Sequence, residues 1–194
     1  MARIYTRTGD KGETGLAGGI RTSKSSLRVQ AYGDVDELNS VLGVARTFSK
    51  DDEVGSMLER LQKDLFIVGA DLASPRTEDH STPRVTHEMT VTLEKSIDKF
   101  QEVLLPLRAF ILPSGAETGA LLHFARTVAR RAERSIVGLN KTEVLNENLI
   151  PYINRLSDLL FVMARLANHR EGRNEVEWHQ ESAQRNMNST HKPL

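Results

Sequence analysis

Apolar residues recur at helical spacing in five segments of the chain. In the first, from residue 29 onward, Leu38, Val41, Leu42, Ala45 and Phe48 form one stripe. Asp34, with Glu37 three positions on, reads as a capping box, although the pattern also allows a start several residues earlier. The second segment spans residues 53–73 and buries Met57, Leu58, Leu61, Leu65, Val68 and Leu72. The third spans residues 86–104 on Met89, Leu93, Ile97 and Phe100, and Pro106 ends it. In the fourth, Ser114 is the expected cap, with Glu117 three positions after it. Leu121, Ala125, Val128, Ala129, Ala132, Ile136 and Leu139 then share one side. The fifth spans residues 148–170 on Leu149, Ile153, Leu156, Leu160, Met163 and Ala167, with Pro151 tolerated in its first turn. No long strand is predicted. Short connections favour antiparallel neighbours, so the expected fold is all-α, a five-helix up-and-down bundle.

Three stretches fall outside this pattern. Residues 1–28 carry Gly9, Gly12, Gly15, Gly18 and Gly19 among Thr6, Thr8, Thr14, Lys11 and Arg21. Such a stretch can take positive-φ paths and offer backbone N–H groups to an anion, or it can be a plain flexible arm. It matches neither GxxxxGK[ST] nor GxGxxG. Residues 74–84, polar with two prolines, read as a surface loop. Residues 171–194 lack a sustained apolar period and are expected to be largely disordered, with the lone Trp178 unexplained. The expected organisation is an irregular glycine-rich arm (1–28), a bundle domain (29–170) and a polar tail (171–194).

Composition narrows the function. The 194 residues, 39% hydrophobic and 27% charged, describe a soluble globular chain of one domain. A formal net charge of +0 gives no general attraction to nucleic acid or membrane, which leaves local patches. With no cysteine, disulfides, thiolate metal sites and a cysteine nucleophile are excluded. No apolar run spans a bilayer, and residues 1–6 show no signal-peptide core, so the expected location is cytoplasmic.

One such patch lies on the fourth helix. At about 100° per residue, His123, Arg126, Arg130, Glu133 and Arg134 share a side away from the apolar stripe. Three arginines around one carboxylate are either a solvated helix face or an anion site, since guanidinium forks suit phosphate oxygens. Asn154, Arg155, Ser157 and Asp158 interrupt the fifth apolar stripe in the same way. They read as an anion site or as a solvent-facing side on which Asp158 pairs with an arginine. Asp34, Asp36 and Glu37 put negative charge in what reads as an early turn, where compensation of the helix dipole is the plain alternative to a functional role. His80, His87 and His123 are scattered, no HExxH motif is present, and no metal-ligand set is assigned.

Four blocks, in order, carry a specific resemblance. They are Ile4 to Gly12 (Ile-Tyr-Thr-Arg-Thr-Gly-Asp-Lys-Gly), Ala31 to Asn39 with Asp36 and Glu37, Phe110 to Gly115 followed by His123 to Arg134, and Ile153 to Asp158. Together they resemble the PduO-type ATP:cob(I)alamin adenosyltransferases, over residues 3–170. The resemblance implies transfer of the 5′-deoxyadenosyl group of ATP to the cobalt of a reduced corrinoid, cobalamin, with release of triphosphate and with Mg²⁺ on the phosphates. It also implies a five-helix bundle, a homotrimer with active sites between subunits, and a reductase and a cobalamin-dependent acceptor enzyme as functional partners.

Roles follow from the same matches. Thr6, Thr8, Gly9, Asp10, Lys11 and Gly12 fall in the ATP-binding arm, with Thr14 and Lys24 as further ATP contacts. Arg130 matches an arginine on the phosphates, and Glu133, Arg134 and Asn154 lie near the nucleoside. Phe110 resembles the apolar residue that keeps the lower axial ligand from cobalt. Asp36 and Arg126 resemble an intersubunit salt bridge beside the corrinoid. Ser114-Gly115-Ala116 departs from the glycine pair that many members carry after Leu-Pro. Two other functions are weighed against the transferase: a corrinoid carrier without catalysis, and an ATP-using enzyme of the same fold acting on another nucleophile. Lys11, Arg130 and Asn154 argue against a pure carrier, which has no need of an ATP site.

Overall fold

The computed structural model describes residues 4–75 and 82–179. Its frame is five helices: α1 (Leu27–Phe48), α2 (Asp52–Ala73), α3 (His87–Gln101), α4 (Glu117–Asn140) and α5 (Leu149–Arg170). Hydrogen-bond partners give their directions. Arg46 reaches Glu59 and Asn39 reaches Gln62, so α1 and α2 are antiparallel. Thr118 reaches Phe48, and Ser135 reaches Asp34, so α4 runs against α1. Asn168 meets Ala116 and Phe161 meets His123, so α5 runs against α4. Arg155 meets Glu94 and Arg165 meets Leu105, so α3 lies parallel to α5. The directions alternate along the chain, as the up-and-down expectation requires. In space, however, α3 packs beside α5.

The helical stripes built this core. Leu38, Leu58, Leu61, Leu65, Leu93, Ile136, Leu156 and Leu160 are all buried. Each such side chain contributes about 1.5–3 kcal/mol by leaving water. α5 is the central element, with every residue from Leu159 to Asn168 except Phe161 buried. Tyr152, fully buried, donates its hydroxyl to Asp64 Oδ2 at 3.1 Å. At the start of α4 Leu122 is buried and the expected Leu121 only partly so, while Phe48 on α1 is exposed.

Several boundaries differ from expectation. α1 begins seven residues before Asp34, capped by Ser26, whose Oγ accepts from Val29 N at 3.4 Å. Asp34 is therefore mid-helix, where it accepts from Ser135 of α4. Ser114 does not cap α4. The Asn168 side chain does that work instead, accepting from Ala116 N at 2.9 Å and donating to Ser114 O at 2.9 Å. Gly115 has φ +120°, and a β-carbon on Gly115 or Gly119 would collide with the Asn168 amide. That close approach accounts for glycine at both positions. α3 ends at Gln101, five residues before Pro106.

The arm is more ordered than expected. Strand β1 (Glu13–Gly15) pairs antiparallel with β2 (Arg21–Ser23) around a short 3-10 turn, Ala17–Gly19. Residues 171–179 are not the start of a featureless tail. Strand β3 (Phe110–Ile111) pairs with β4 (Glu177–Trp178), which sets Trp178 opposite Phe110. The remainder of the tail, 180–194, lies outside the described residues, as does His80. At the other end of the bundle, Arg84 is tied to the buried Asp71 carboxylate at 2.7 Å, with Asn146 Nδ2 donating to the same group. No helix among the described residues is long and apolar enough to cross a membrane.

Candidate active site

The arginines of α4 have separate fates. Arg126 and Arg130, one helical turn apart, line a cleft of about 340 Å³ between α3, α4 and α5. Ile97, Gln101, Phe161 and Val162 form the rest of its wall, with Arg155 and Asp158 at its polar end. The Arg126 guanidinium lies 6.0 Å from the Phe161 ring centroid, and its buried Nε has no partner. The Arg130 side chain is exposed, and no carboxylate among the described residues pairs with it. Arg134 donates to the Arg130 carbonyl at 3.0 Å, which fixes it along the rim. Glu133 is half-buried beside them. Arg131, absent from the sequence-derived stripe, points the other way and pairs with Asp34 and Glu37 of α1.

His123 does not join this polar face. It is buried against Phe161, ring centroids 5.9 Å apart, with neither ring nitrogen hydrogen-bonded. Burial pushes its pKa below the ordinary 6.5, helped by the Arg126 charge and opposed by Glu175. On α5, Asp158 pairs with Arg155 at 2.7 Å, and Arg155 also reaches Glu94 at 3.1 Å. The Asn154 side chain is exposed on the same helix. The ion-pairing alternative therefore accounts for Asp158.

The arm gathers most of its expected residues around one turn. Gly12, at φ +83°, donates its N–H to Gly9 O at 3.2 Å, so that group faces inward. The N–H groups of Asp10 and Lys11 have no partner among the described residues, and the Lys11 side chain is exposed. Lys24 Nζ lies against Gly9, 3.2 Å from where a β-carbon there would sit. Lys24 N also donates to Gly12 O at 2.8 Å. Arg21 donates to Thr8 O at 2.8 Å, and the Thr6 and Thr8 hydroxyls meet at 2.9 Å. Thr14 lies in β1 opposite Thr22. Two lysines and free amides thus converge on the Gly9–Gly12 turn, as an anion-binding nest requires. Yet no hydrogen bond or ion pair among the described residues joins this arm to Arg126 or Arg130.

Asp36 and Arg126 are also apart. Asp36 is exposed on a second groove, about 430 Å³, between α1 and α2, lined by Tyr32, Asn39, Phe66 and Ala70. Phe110 is 81% exposed at the end of β3, outside both grooves. Sequence reasoning missed Asn168, Arg165 and Glu175. No motif marks them, because their partners are 10 to 60 residues away.

The arrangement is a basic cleft on a helical bundle with a separate cationic turn. Residues 4–167 match the family model described as cobalamin adenosyltransferase, and the chain belongs to that family. A corrinoid adenosyltransferase of Bacillus subtilis (strain 168) is 43% identical over 180 residues, 91% of this chain and 92% of that protein. A cobalamin adenosyltransferase of Cupriavidus metallidurans is 43% identical over 182 residues, 93% and 96% of the two chains. Solved structures similar to this chain include PduO-type enzymes. A phenylalanine-to-alanine variant of the Lactobacillus reuteri ATP:corrinoid adenosyltransferase, complexed with cobalamin and ATP, superposes with a TM-score of 0.88 at 40% identity. That match covers 92% of this chain and all of the other (100%). An arginine-to-lysine variant of the L. reuteri enzyme complexed with ATP gives 0.85 at 41% identity, covering 91% and 100%.

Proposed function

We propose that this chain transfers the 5′-deoxyadenosyl group of ATP to the cobalt of a reduced corrinoid at a site shared between subunits. Co(I) attacks ribose C5′, a Co–C bond forms, and the C5′–O bond breaks as triphosphate leaves. Negative charge grows on the phosphate chain in that step, so fixed cations lower the barrier. The observation that carries the reading is the Arg126–Arg130 cleft, in which the guanidinium groups of Arg126 and Arg130 have no carboxylate partner among the described residues.

In this reading Arg130 and Lys11 bind the phosphates, with the free N–H groups of Asp10 and Lys11 and the ammonium of Lys24. Glu133, Arg134 and Asn154 border the nucleoside, and Thr6, Thr8 and Thr14 shape the arm around it. Mg²⁺ accompanies the triphosphate and shares its charge. The described residues include no cluster of three or more His, Asp or Glu side chains suited to a metal. Phe110 supplies the apolar surface that displaces the lower axial ligand of Co(II). Loss of that donor lowers the orbital that accepts the electron, so Co(I) is easier to reach.

The homotrimer that the family resemblance implies is supported by the separation of these groups within one chain. The cationic turn makes no bond to its own cleft, and Asp36 and Arg126 occupy different grooves. A neighbouring subunit brings arm to cleft and Asp36 to Arg126. An ATP-consuming reaction fits the cytoplasm, with a reductase upstream and a cobalamin-dependent enzyme accepting the product. The test is to mix protein, ATP, Mg²⁺ and chemically reduced corrinoid, then follow the visible spectrum and assay triphosphate. A Co–C bond with equimolar triphosphate is expected. No Co–C bond would refute the reading, and triphosphate without corrinoid would point to another nucleophile.

A further inference from the structure

Phe110 is almost fully solvent-exposed, so no core packing holds it in place. Its backbone is held by a two-residue ladder to β4 and by Leu112 N donating to Val176 O at 2.8 Å. A two-stranded ladder alone is marginal in water. Beneath it lies Arg165 of α5, a buried arginine with 6% exposure. Its Nε donates to Glu175 Oε1 at 2.6 Å and its NH2 to Glu175 Oε2 at 3.1 Å, a bidentate pair. The same NH2 donates to Leu105 O at 2.7 Å. Leu105 lies in the connection that leads into β3, and Glu175 lies two residues before β4. One guanidinium thus grips both chains that make the Phe110 ladder.

We propose that Arg165 and Glu175 are positioning residues for Phe110, fixing β4 against β3 and so the height at which the ring is presented to the corrinoid. The assignment rests on the axial-ligand role given to Phe110 above. It adds that the role depends on a buried ion pair outside every motif of the chain. Arginine suits the task because its planar fork engages both oxygens of the carboxylate and still reaches the carbonyl, whereas an ammonium is a single point of charge without that bidentate geometry.

The test compares Glu175→Gln, Arg165→Lys and the double variant Arg165→Met/Glu175→Leu with Phe110→Ala. The double variant replaces the pair by apolar chains of similar volume, which tends to preserve folding, whereas removing one partner strands a buried charge. Rates are measured from Co(II) with a reductant and from preformed Co(I). The paramagnetic resonance spectrum of bound Co(II) reports its coordination number, and the Michaelis constant for ATP and the thermal midpoint are measured alongside. The expected result is a loss of about tenfold from Co(II), with a weaker four-coordinate signal. The Co(I) rate and the constant for ATP stay near those of the parent, and Glu175→Gln is the mildest of the three. If the Co(II) and Co(I) rates fall together, or neither changes while Phe110→Ala is selective for Co(II), the positioning role is overturned. If Phe110→Ala slows both starts equally, the axial-ligand role itself fails and takes this assignment with it.

Discussion

Arg130 and Arg131 are neighbours in the chain with opposite fates. Arg131 faces α1, where Asp34 and Glu37 neutralise it and Ser135 holds the same Asp34. Arg130 faces the cleft between α3, α4 and α5, where the lining carboxylate of Asp158 is taken up by Arg155 and no ion pair to Arg130 forms among the described residues. One step of about 100° separates a paired cation from an unpaired one. The lesson is that an arginine's charge becomes chemistry only where the fold withholds a partner. A paired guanidinium has already used the donors that a phosphate would need.

That contrast can be broken experimentally. Arg130→Ala is expected to lower turnover by roughly tenfold or more, about 1.4 kcal/mol, with little change in thermal midpoint. Unchanged steady-state kinetics would remove Arg130 from the site. Asp36→Asn tests whether the second groove completes the first. It should raise the Michaelis constant for corrinoid several-fold while leaving that for ATP in place, and an effect confined to ATP would contradict the shared site. Arg131→Ala should do the reverse of Arg130→Ala. Turnover is kept, and denaturant unfolding shows a loss of about 0.5–1 kcal/mol, small because the pair is partly exposed and screened by salt.

The smallest effect concerns His123, which lies between the two faces. Its folded pKa is held below 6.5, so below that pH the unfolded chain takes up a proton that the folded chain does not. The stability His123 allows is complete above pH 6.5 and declines as the pH falls below it. His123→Phe should therefore flatten the fall in thermal midpoint between neutral and mildly acidic pH. An identical pH profile in parent and variant would show that His123 does not titrate with folding.

Much of the frame was legible in residue order. Leu58, Leu61, Leu65 and Leu156, Leu160, Met163 declare buried helix faces by spacing alone, and all are buried. The glycine-rich turn and the arginine-bearing helix were visible as candidates for the same reason, since local composition sets local geometry. What failed to show was any feature whose partner is distant. Asp34 had a plausible local explanation as a cap, and only the packing of α4 reveals its bond to Ser135. Ser114 fitted the capping pattern, yet a side chain 52 residues further on, Asn168, satisfies that helix end. Trp178 had no sequence rationale because its partner is Phe110 across a two-residue ladder.

By itself, then, the sequence determined five amphipathic helices, a glycine-rich cationic arm and the family to which the chain belongs. Periodicity and capping are short-range, so nearest neighbours in the chain suffice to specify them. Only the tertiary structure decided which arginines keep their charge available, which side chain closes the α4 terminus, and that the arm and its cleft stand apart within one chain. Those outcomes depend on which groups meet across the bundle, and pairing at a distance removes or preserves a charge in a way that local sequence does not encode.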